Sequence, residues 1–143
     1  MRRTTAIPLL LVCLALGLTG CGGPDEDLPQ TVSVSGVVTF DGEKLTEGTV
    51  MFHPQGGKGH PATGEIGENG IYTLSTFEAE DGAVAGNHIV TVQIFPKGAN
   101  PGFEDQAPGY VPIPKKYTSP DTSDLLVSVN EGANNIPIEL KSD

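Results

Sequence analysis

Tryptophan is absent from this chain of 143 residues, and cysteine, arginine and lysine are scarce. Eight basic side chains stand against eighteen acidic ones, which gives a formal charge of −10 at pH 7. So few cations cannot neutralise a phosphate backbone, and the composition excludes a nucleic-acid-binding protein. The length and the apolar content allow one small domain and no more.

The first twenty residues have the pattern of an export signal. Arg2 and Arg3 precede an apolar run from Ala6 to Leu18, which is shorter than the roughly 20 residues of a membrane span. The run ends in Leu18-Thr19-Gly20-Cys21, which resembles the lipobox of bacterial lipoproteins. That resemblance implies cleavage before Cys21, a diacylglyceryl thioether on its sulfur and a membrane anchor of two or three acyl chains. A secretory signal cut elsewhere and an uncleaved anchor are the alternatives.

Cleavage at that site predicts three segments: a signal peptide (1–20), a lipidated flexible tether (21–30) and a single domain (31–143). Loss of Arg2 and Arg3 takes the formal charge from −10 to −12. The remaining cysteine carries the lipid, which leaves no intramolecular disulfide. In the known lipoprotein sorting system an Asp after the cysteine retains the protein in the inner membrane. Gly22 stands at that position here and favours the outer membrane.

From Thr31 onward, apolar residues alternate with polar ones, which is the period of a half-buried strand. No helical period of ten residues occurs after Cys21, and glycine, proline, asparagine and aspartate separate the apolar runs. Seven short strands of this kind predict an all-β fold, an antiparallel Greek-key sandwich. The predicted strands cover residues 31–40, 49–53, 62–66, 71–77, 87–95, 125–129 and 136–141.

With the strands placed, the chain resembles the carboxypeptidase regulatory-like domain, a transthyretin-like (prealbumin-like) sandwich found in bacterial envelope lipoproteins. The resemblance spans residues 32–140 and depends on the order and spacing of short motifs. These motifs are Val34-Ser-Gly-Val-Val-Thr-Phe-Asp-Gly, Gly48-Thr-Val-Met-Phe-His-Pro, Gly67-Glu-Asn-Gly-Ile-Tyr-Thr-Leu, Gly86-Asn-His-Ile-Val-Thr-Val and a final stretch from Ile113-Pro-Lys-Lys-Tyr to Leu140.

The resemblance implies a folding, scaffolding or adhesion module without catalysis or cofactor. One related branch of the fold hydrolyses 5-hydroxyisourate with histidine and arginine residues and a Tyr-Arg-Gly-Ser C-terminus. This chain has no arginine after Arg3 and ends in Leu-Lys-Ser-Asp, so that activity does not carry over.

Candidate metal ligands are few. His53, His60 and His88 are the only histidines, and their predicted positions do not converge as a zinc site requires. A packed histidine is the expectation for His88, because it shares a strand face with Val90. Carboxylates crowd the turn around Glu80 and Asp81, where solvated charge is a better interpretation than a calcium site. We therefore expect no metal.

The least explained segment is the proline-rich stretch 96–124, because a connection of that length inside a small domain is often functional. Phe103, Tyr110 and Tyr117 are candidate contacts for a sugar or a protein partner, and the prolines limit the entropy lost on binding. In the competing interpretation, Ile113, Tyr117 and Leu125 cover one end of the sandwich.

These observations predict a non-catalytic protein of the bacterial cell envelope, held to the membrane through Cys21, that contacts envelope proteins or supports envelope architecture. A carbohydrate-binding module that recognises envelope polysaccharide is the alternative, although the absence of tryptophan counts against it. A hydrolase ranks third, because the sequence has no positioned nucleophile, metal cage or cofactor loop.

Overall fold

Two β-sheets enclose an aliphatic core in the computed structural model, which describes residues 28–94 and 113–142. Within those ranges the chain is all-β, and its one helical element is a 3₁₀ turn at Lys115–Thr118. The strands are β1 (Thr31–Val32), β2 (Val34–Phe40), β3 (Glu43–Lys44), β4 (Thr49–Pro54), β5 (Ala62–Glu65), β6 (Ile71–Thr73), β7 (Ala83–Val84), β8 (Gly86–Gln93), β9 (Leu126–Val129), β10 (Asn134–Asn135) and β11 (Ile138–Leu140).

Strand β2 is the centre of the first sheet. Strands β10 and β11 follow each other along one side of β2 and run parallel to it, whereas β3 and β6 pair with its other side in antiparallel register. The second sheet is antiparallel throughout, in the order β5-β4-β8-β9. A small antiparallel pair, β1 with β7, lies beside the two larger sheets. Among the described residues, no helix is long and apolar enough to cross a membrane.

The all-β prediction is confirmed, but the prediction of purely antiparallel pairing is wrong for the C-terminal strands. Period-two patterning identifies a strand and carries no information about its direction. Here the side chain of Asn134 bonds the N–H and the carbonyl of Asn130 and the carbonyl of Gly132. This closed turn takes the chain from β9 in the second sheet to β2 in the first sheet. A hairpin would instead have paired the next strand with β9.

Several strands are also shorter than predicted, and the described residues hold eleven strands where seven were expected. The predicted strand 31–40 is interrupted at Ser33, so that β1 pairs with β7 and β2 pairs elsewhere. The predicted strand 71–77 ends at Thr73, and a single bridge from Thr63 to Ser75 then links it to the other sheet. The chain thus changes partners where the alternation alone shows a continuous strand.

The core is formed by the inward side chains of both sheets. Val38 of β2, Phe52 of β4 and Val90 of β8 are fully buried, and burying one such side chain stabilises the fold by about 1.5–3 kcal/mol. Tyr72 of β6 lies among them and donates its hydroxyl to the carbonyl of Ile136 at 2.7 Å. Burial raises the pKa of the Tyr72 phenol, so this hydroxyl remains a donor. The bond ties β6 to the link between β10 and β11.

Gly36 makes this arrangement possible. A Cβ at position 36 would lie 2.0 Å from the carbonyl oxygen of Ile136 and 2.9 Å from a ring carbon of Tyr72. Only glycine leaves room for the backbone of the β10–β11 link at this distance. The C-terminal strands therefore reach β2 because a side chain is missing at this position.

The described part of the proline-rich segment packs against the sandwich. Tyr117, in the 3₁₀ turn, is 3% exposed, and its hydroxyl accepts a bond from the Lys141 N–H at 3.2 Å. Ile113 and Leu125 are partly buried against the same core. These three residues therefore pack as the covering interpretation predicts, while Phe103 and Tyr110, on which the other interpretation depends, lie outside the described residues.

Candidate functional site

A groove of about 720 Å³ opens where β4, β5 and β6 meet the turns that precede them. Its lining comprises Thr46, Glu47, Gly48, Thr49, Glu65, Ile66, Gly67, Glu68, Ile71, Thr73 and Glu80.

Backbone hydrogen bonds fix the shape of this groove. The Ile66 N–H donates to the Gly48 carbonyl at 2.9 Å, which holds the end of β5 against the start of β4. The Gly67 N–H donates to the Ile71 carbonyl, and the Asn69 side chain accepts from the Ile71 N–H at 3.1 Å. The chain turns at Asn69-Gly70, where Gly70 takes a positive φ, and the strands on either side of this turn pair in different sheets. The wall of the groove is therefore set locally by the sequence.

The electrostatic character of the groove comes from four glutamates, and no lysine, arginine or histidine lines it. Glu65 and Glu68 are exposed, and Ile71 adds a half-exposed apolar side chain to the floor. Such a surface can accept hydrogen bonds and can contact cationic groups, while Ile71 offers a small apolar contact. Threonine hydroxyls and carboxylates are the reactive groups present, without the histidine that would activate a hydroxyl.

The three histidines lie apart from the groove and belong to the scaffold. His88 of β8 is buried, lies against Phe52 and shares a 2.9 Å hydrogen bond between its Nε2 and the Val84 carbonyl. His60 packs edge-on against the ring of Phe77, with centroids 4.8 Å apart. His88 thus occupies the packed position expected for it, and its buried Nδ1 has no hydrogen-bond partner within the described chain.

His53 lies on the outer face of β4. Its Nε2 and the buried hydroxyl of Thr91 are 3.0 Å apart, which links neighbouring strands of the second sheet. Burial and, secondarily, the nearby His88 imidazole lower the pKa of His53. The neutral imidazole is therefore the form that fits the folded state.

The acidic turn before β7 has a structural use for its aspartate. The carboxylate of Asp81 accepts the backbone N–H groups of Thr76, Phe77 and Glu78 at 2.6, 3.0 and 3.1 Å. Desolvation of this carboxylate opposes its ionisation, but these donors outweigh it and lower the pKa of Asp81. Asp81 organises the turn, and its oxygens are occupied by the backbone. No group of three or more metal-type side chains occurs in the described ranges.

Comparison with known proteins gives one distant structural similarity. No protein-family model matches the chain, and no curated protein matches it. The chain is similar to a crystal structure of a DUF3823 family protein from Parabacteroides merdae ATCC 43184, with a TM-score of 0.44 and 15% identity. The match covers 80% of this chain and 47% of that one, so the chain spans about half the length of that protein.

The residues predicted as sites are distributed unevenly over the structure. Cys21, Phe103 and Tyr110 lie outside the described residues. Tyr117 is buried and presents no aromatic face to solvent, because the sandwich needs its ring at one end of the core. Sequence reasoning missed the acidic groove, since its glutamates come from three separate segments: Glu47, the pair Glu65 and Glu68, and Glu80. The one local signal was the outward position of Glu65 in the alternation of β5.

Proposed function

We propose that this protein is a non-catalytic, lipid-anchored protein of the bacterial cell envelope, and that its β-sandwich serves as a protein-interaction or structural module. The observation that carries the proposal is the lipobox-like motif Leu18-Thr19-Gly20-Cys21 at the end of a short apolar run. A thiol at this position accepts the acyl anchor, and two or three chains make membrane attachment effectively permanent. The tether up to residue 30 would let the domain reach about 30 Å from the anchor.

The non-catalytic part of the proposal is supported by how the described polar side chains are used. His88 and Asp81 bond the backbone, and His53 contacts a threonine hydroxyl. The acidic groove combines carboxylates with threonines, a set suited to contact and not to nucleophilic attack. The third interpretation, a hydrolase, gains no observation from this arrangement.

The proposal includes membership of the carboxypeptidase regulatory-like group, with its transthyretin-like Greek-key topology. Two sheets around one core and the all-β character of the described residues support this assignment. The parallel pairing of β11 with β2 is a departure from the antiparallel sandwich that the strand pattern predicts.

The carbohydrate-binding alternative is weakened by one residue. It relied on three aromatic side chains of the proline-rich segment, and Tyr117 uses its ring in the core and its hydroxyl on the Lys141 backbone. Carbohydrate platforms need exposed aromatic faces, which Tyr117 does not offer.

The anchor can be tested with the two cysteines of the chain as matched variants. We expect wild-type protein and Cys13→Ser to fractionate with membranes and to carry the added mass of acyl chains on the fragment that begins at Cys21. Cys21→Ser should lose that mass and accumulate as an uncleaved precursor. An acylated, membrane-bound Cys21→Ser protein of mature length would overturn the assignment.

The interaction role needs a separate measurement in cells. We would cross-link the anchored protein in intact cells, identify the products by mass spectrometry and use an unrelated acidic lipoprotein as the control for proximity. Repeated enrichment of one envelope protein over that control supports the interaction module. Background hits alone, together with binding of the protein to purified envelope polysaccharide, would favour the carbohydrate alternative.

A further inference from the structure

Strand β9 leaves one edge of the second sheet open. It pairs with β8 alone among the described strands, and the Val90 N–H donates to the Leu125 carbonyl at 2.8 Å. In an antiparallel ladder such bonds alternate along each strand. Val127 and Val129 consequently direct their backbone groups toward β8, whereas Leu126 and Ser128 direct theirs away from the sheet.

No hydrogen bond within the described ranges reaches these outward backbone groups. The strand Leu126–Val129 contains neither proline nor a charged residue, the devices that natural proteins use to block a sheet edge. Leu126 is 64% exposed, the most exposed large apolar side chain in the described chain. Among the described residues, two N–H and two C=O groups of this edge therefore have no hydrogen-bond partner, and they lie beside an apolar contact.

A shallow depression of about 240 Å³ lies beside the same edge. Gln55, Asn87, Leu126 and Ser128 are among the residues that line it. Alternate side chains of an added strand point to one face of the sheet, so a strand paired with β9 would place a side chain over this depression.

Charge indicates which kind of strand fits. Asp121 and Asp124 precede β9, Glu131 follows it, and the whole chain carries a formal charge of −10. Lys115 and Lys116 are the cations that precede the strand, and Lys116 bonds Asp124 at 3.4 Å, so three acidic residues stand against two basic ones. A second copy of the chain would bring an equal negative charge to the edge, whereas a basic segment would be attracted to it.

We propose that the open edge of β9 binds an extended, cationic segment of another protein, which adds to the sheet as a fifth strand. The inference deepens the proposed interaction role and rests on it for its biological setting. Main-chain hydrogen bonds to Leu126 and Ser128 would supply affinity, and apolar contact with Leu126 together with basic flanks would supply selectivity.

The test uses the full-length chain in detergent and a defined probe, a labelled peptide of about seven residues in which valine alternates with lysine. A second peptide carries glutamate in place of lysine. We expect the lysine peptide to bind, to slow amide hydrogen exchange at Leu126 and Ser128 at least about tenfold, and to bind at least about tenfold more tightly than the glutamate peptide.

Two leucines provide matched variants for this test. Leu126→Lys should weaken the lysine peptide at least about tenfold, whereas Leu28→Lys, at a similarly exposed leucine far from β9 in sequence, should change its affinity less than about twofold. Ser128→Pro removes an outward N–H and serves as a second edge variant if Leu126→Lys does not fold.

Four results would overturn the proposal. They are the absence of binding at millimolar peptide, equal weakening by both lysine variants, protection confined to amides outside β9, and concentration-dependent protection of Leu126 and Ser128 without peptide. The last result would mean that a second copy fills the edge. Failure of this test leaves acylation of Cys21 unaffected, and failure of the Cys21 test leaves peptide binding measurable, so the two proposals fail independently.

Discussion

Strands β9 and β11 both lie at the edge of a sheet, but their open sides differ in composition. The bonds that β11 and its link make to β2 alternate, so Pro137, Glu139 and Lys141 face the other side, where the Lys141 N–H already donates to the Tyr117 hydroxyl. Proline lacks the N–H that a further strand would need, and a charged side chain resists burial beneath one. On β9 the corresponding positions are Leu126 and Ser128, which carry neither block.

The difference separates two uses of a strand. β11 completes the fold, since Ile138 and Leu140 are buried and its outer side is closed to further pairing. β9 contributes one fully buried residue, Val129, and keeps its outer side available. The comparison indicates that blocking groups are found where the strand serves stability alone. Substitutions in either sheet can test it.

The largest expected effect comes from filling the space that lets the β10–β11 link reach β2. Gly36→Ala places a Cβ against the Ile136 carbonyl, so the link must move and Tyr72 with it. We expect a loss of about 3 kcal/mol in the free energy of unfolding, measured by urea denaturation. Ser35→Ala, on the opposite face of the same strand, is the control and should cost less than about 1 kcal/mol. An equal effect of the two substitutions would contradict the close-approach argument.

Removing the hydrogen bond from Tyr72 to Ile136 should weaken the same edge less severely. Tyr72→Phe keeps the ring in the core and leaves the Ile136 carbonyl without its donor. We expect a loss of about 1–2 kcal/mol in the same denaturation experiment. Unfolding of wild type and Tyr72→Phe at the same urea concentration would contradict this expectation, since it would mean that water replaces the lost donor at the Ile136 carbonyl.

Removing the blocks from the β11 edge should make it resemble β9. A double variant, Pro137→Val with Glu139→Val, restores an N–H and removes a charge while β11 keeps its inward residues. We expect folded protein with reversible self-association that rises with concentration, measured by sedimentation velocity. Leu126→Lys in the same background should leave this association intact. Loss of association in that combination would show that the contact forms through β9.

The smallest effect concerns the sheet that ends in β9. Because the pKa of His53 is lower in the folded chain, the unfolded chain binds protons more readily as pH falls below about 6.5. Stability should therefore decrease from pH 7 toward pH 5, and His53→Gln should show a shallower decrease. The measurement is the melting temperature of both proteins across this range, and parallel curves would contradict it.

Much of the fold follows from local pattern. The alternation in β2, β4 and β8 predicts that Val38, Phe52 and Val90 face the core, and the pair Asn69-Gly70 predicts a turn between β5 and β6. The partners of each strand do not follow, because the direction of β11 depends on a turn closed by Asn134 and on the missing side chain of Gly36. The close approach of Gly36 and Ile136 joins residues about a hundred positions apart, which no window of sequence contains.

The candidate sites show the same limit. The Cys21 motif is contiguous and can be read directly, whereas the acidic groove gathers glutamates from three segments and becomes visible only with the strands paired. The burial of Thr91 was also missed, since alternation places it on the outer face of β8. Its hydrogen bond to His53 shows how the outer face accommodates a buried hydroxyl.

The pairing of β2 with the last strands has a consequence for the order of assembly. Asn134 lies opposite Val34, and the Ser142 N–H bonds the Asp41 carboxylate across 101 positions of sequence. One side of β2 cannot form its hydrogen bonds until β10 and β11, near the C-terminus, have been synthesised. Closing so long a loop is entropically costly before any contact compensates for it, which slows folding relative to proteins with local contacts. We therefore expect ribosome-bound chains that stop before Asn134 to remain without a completed first sheet.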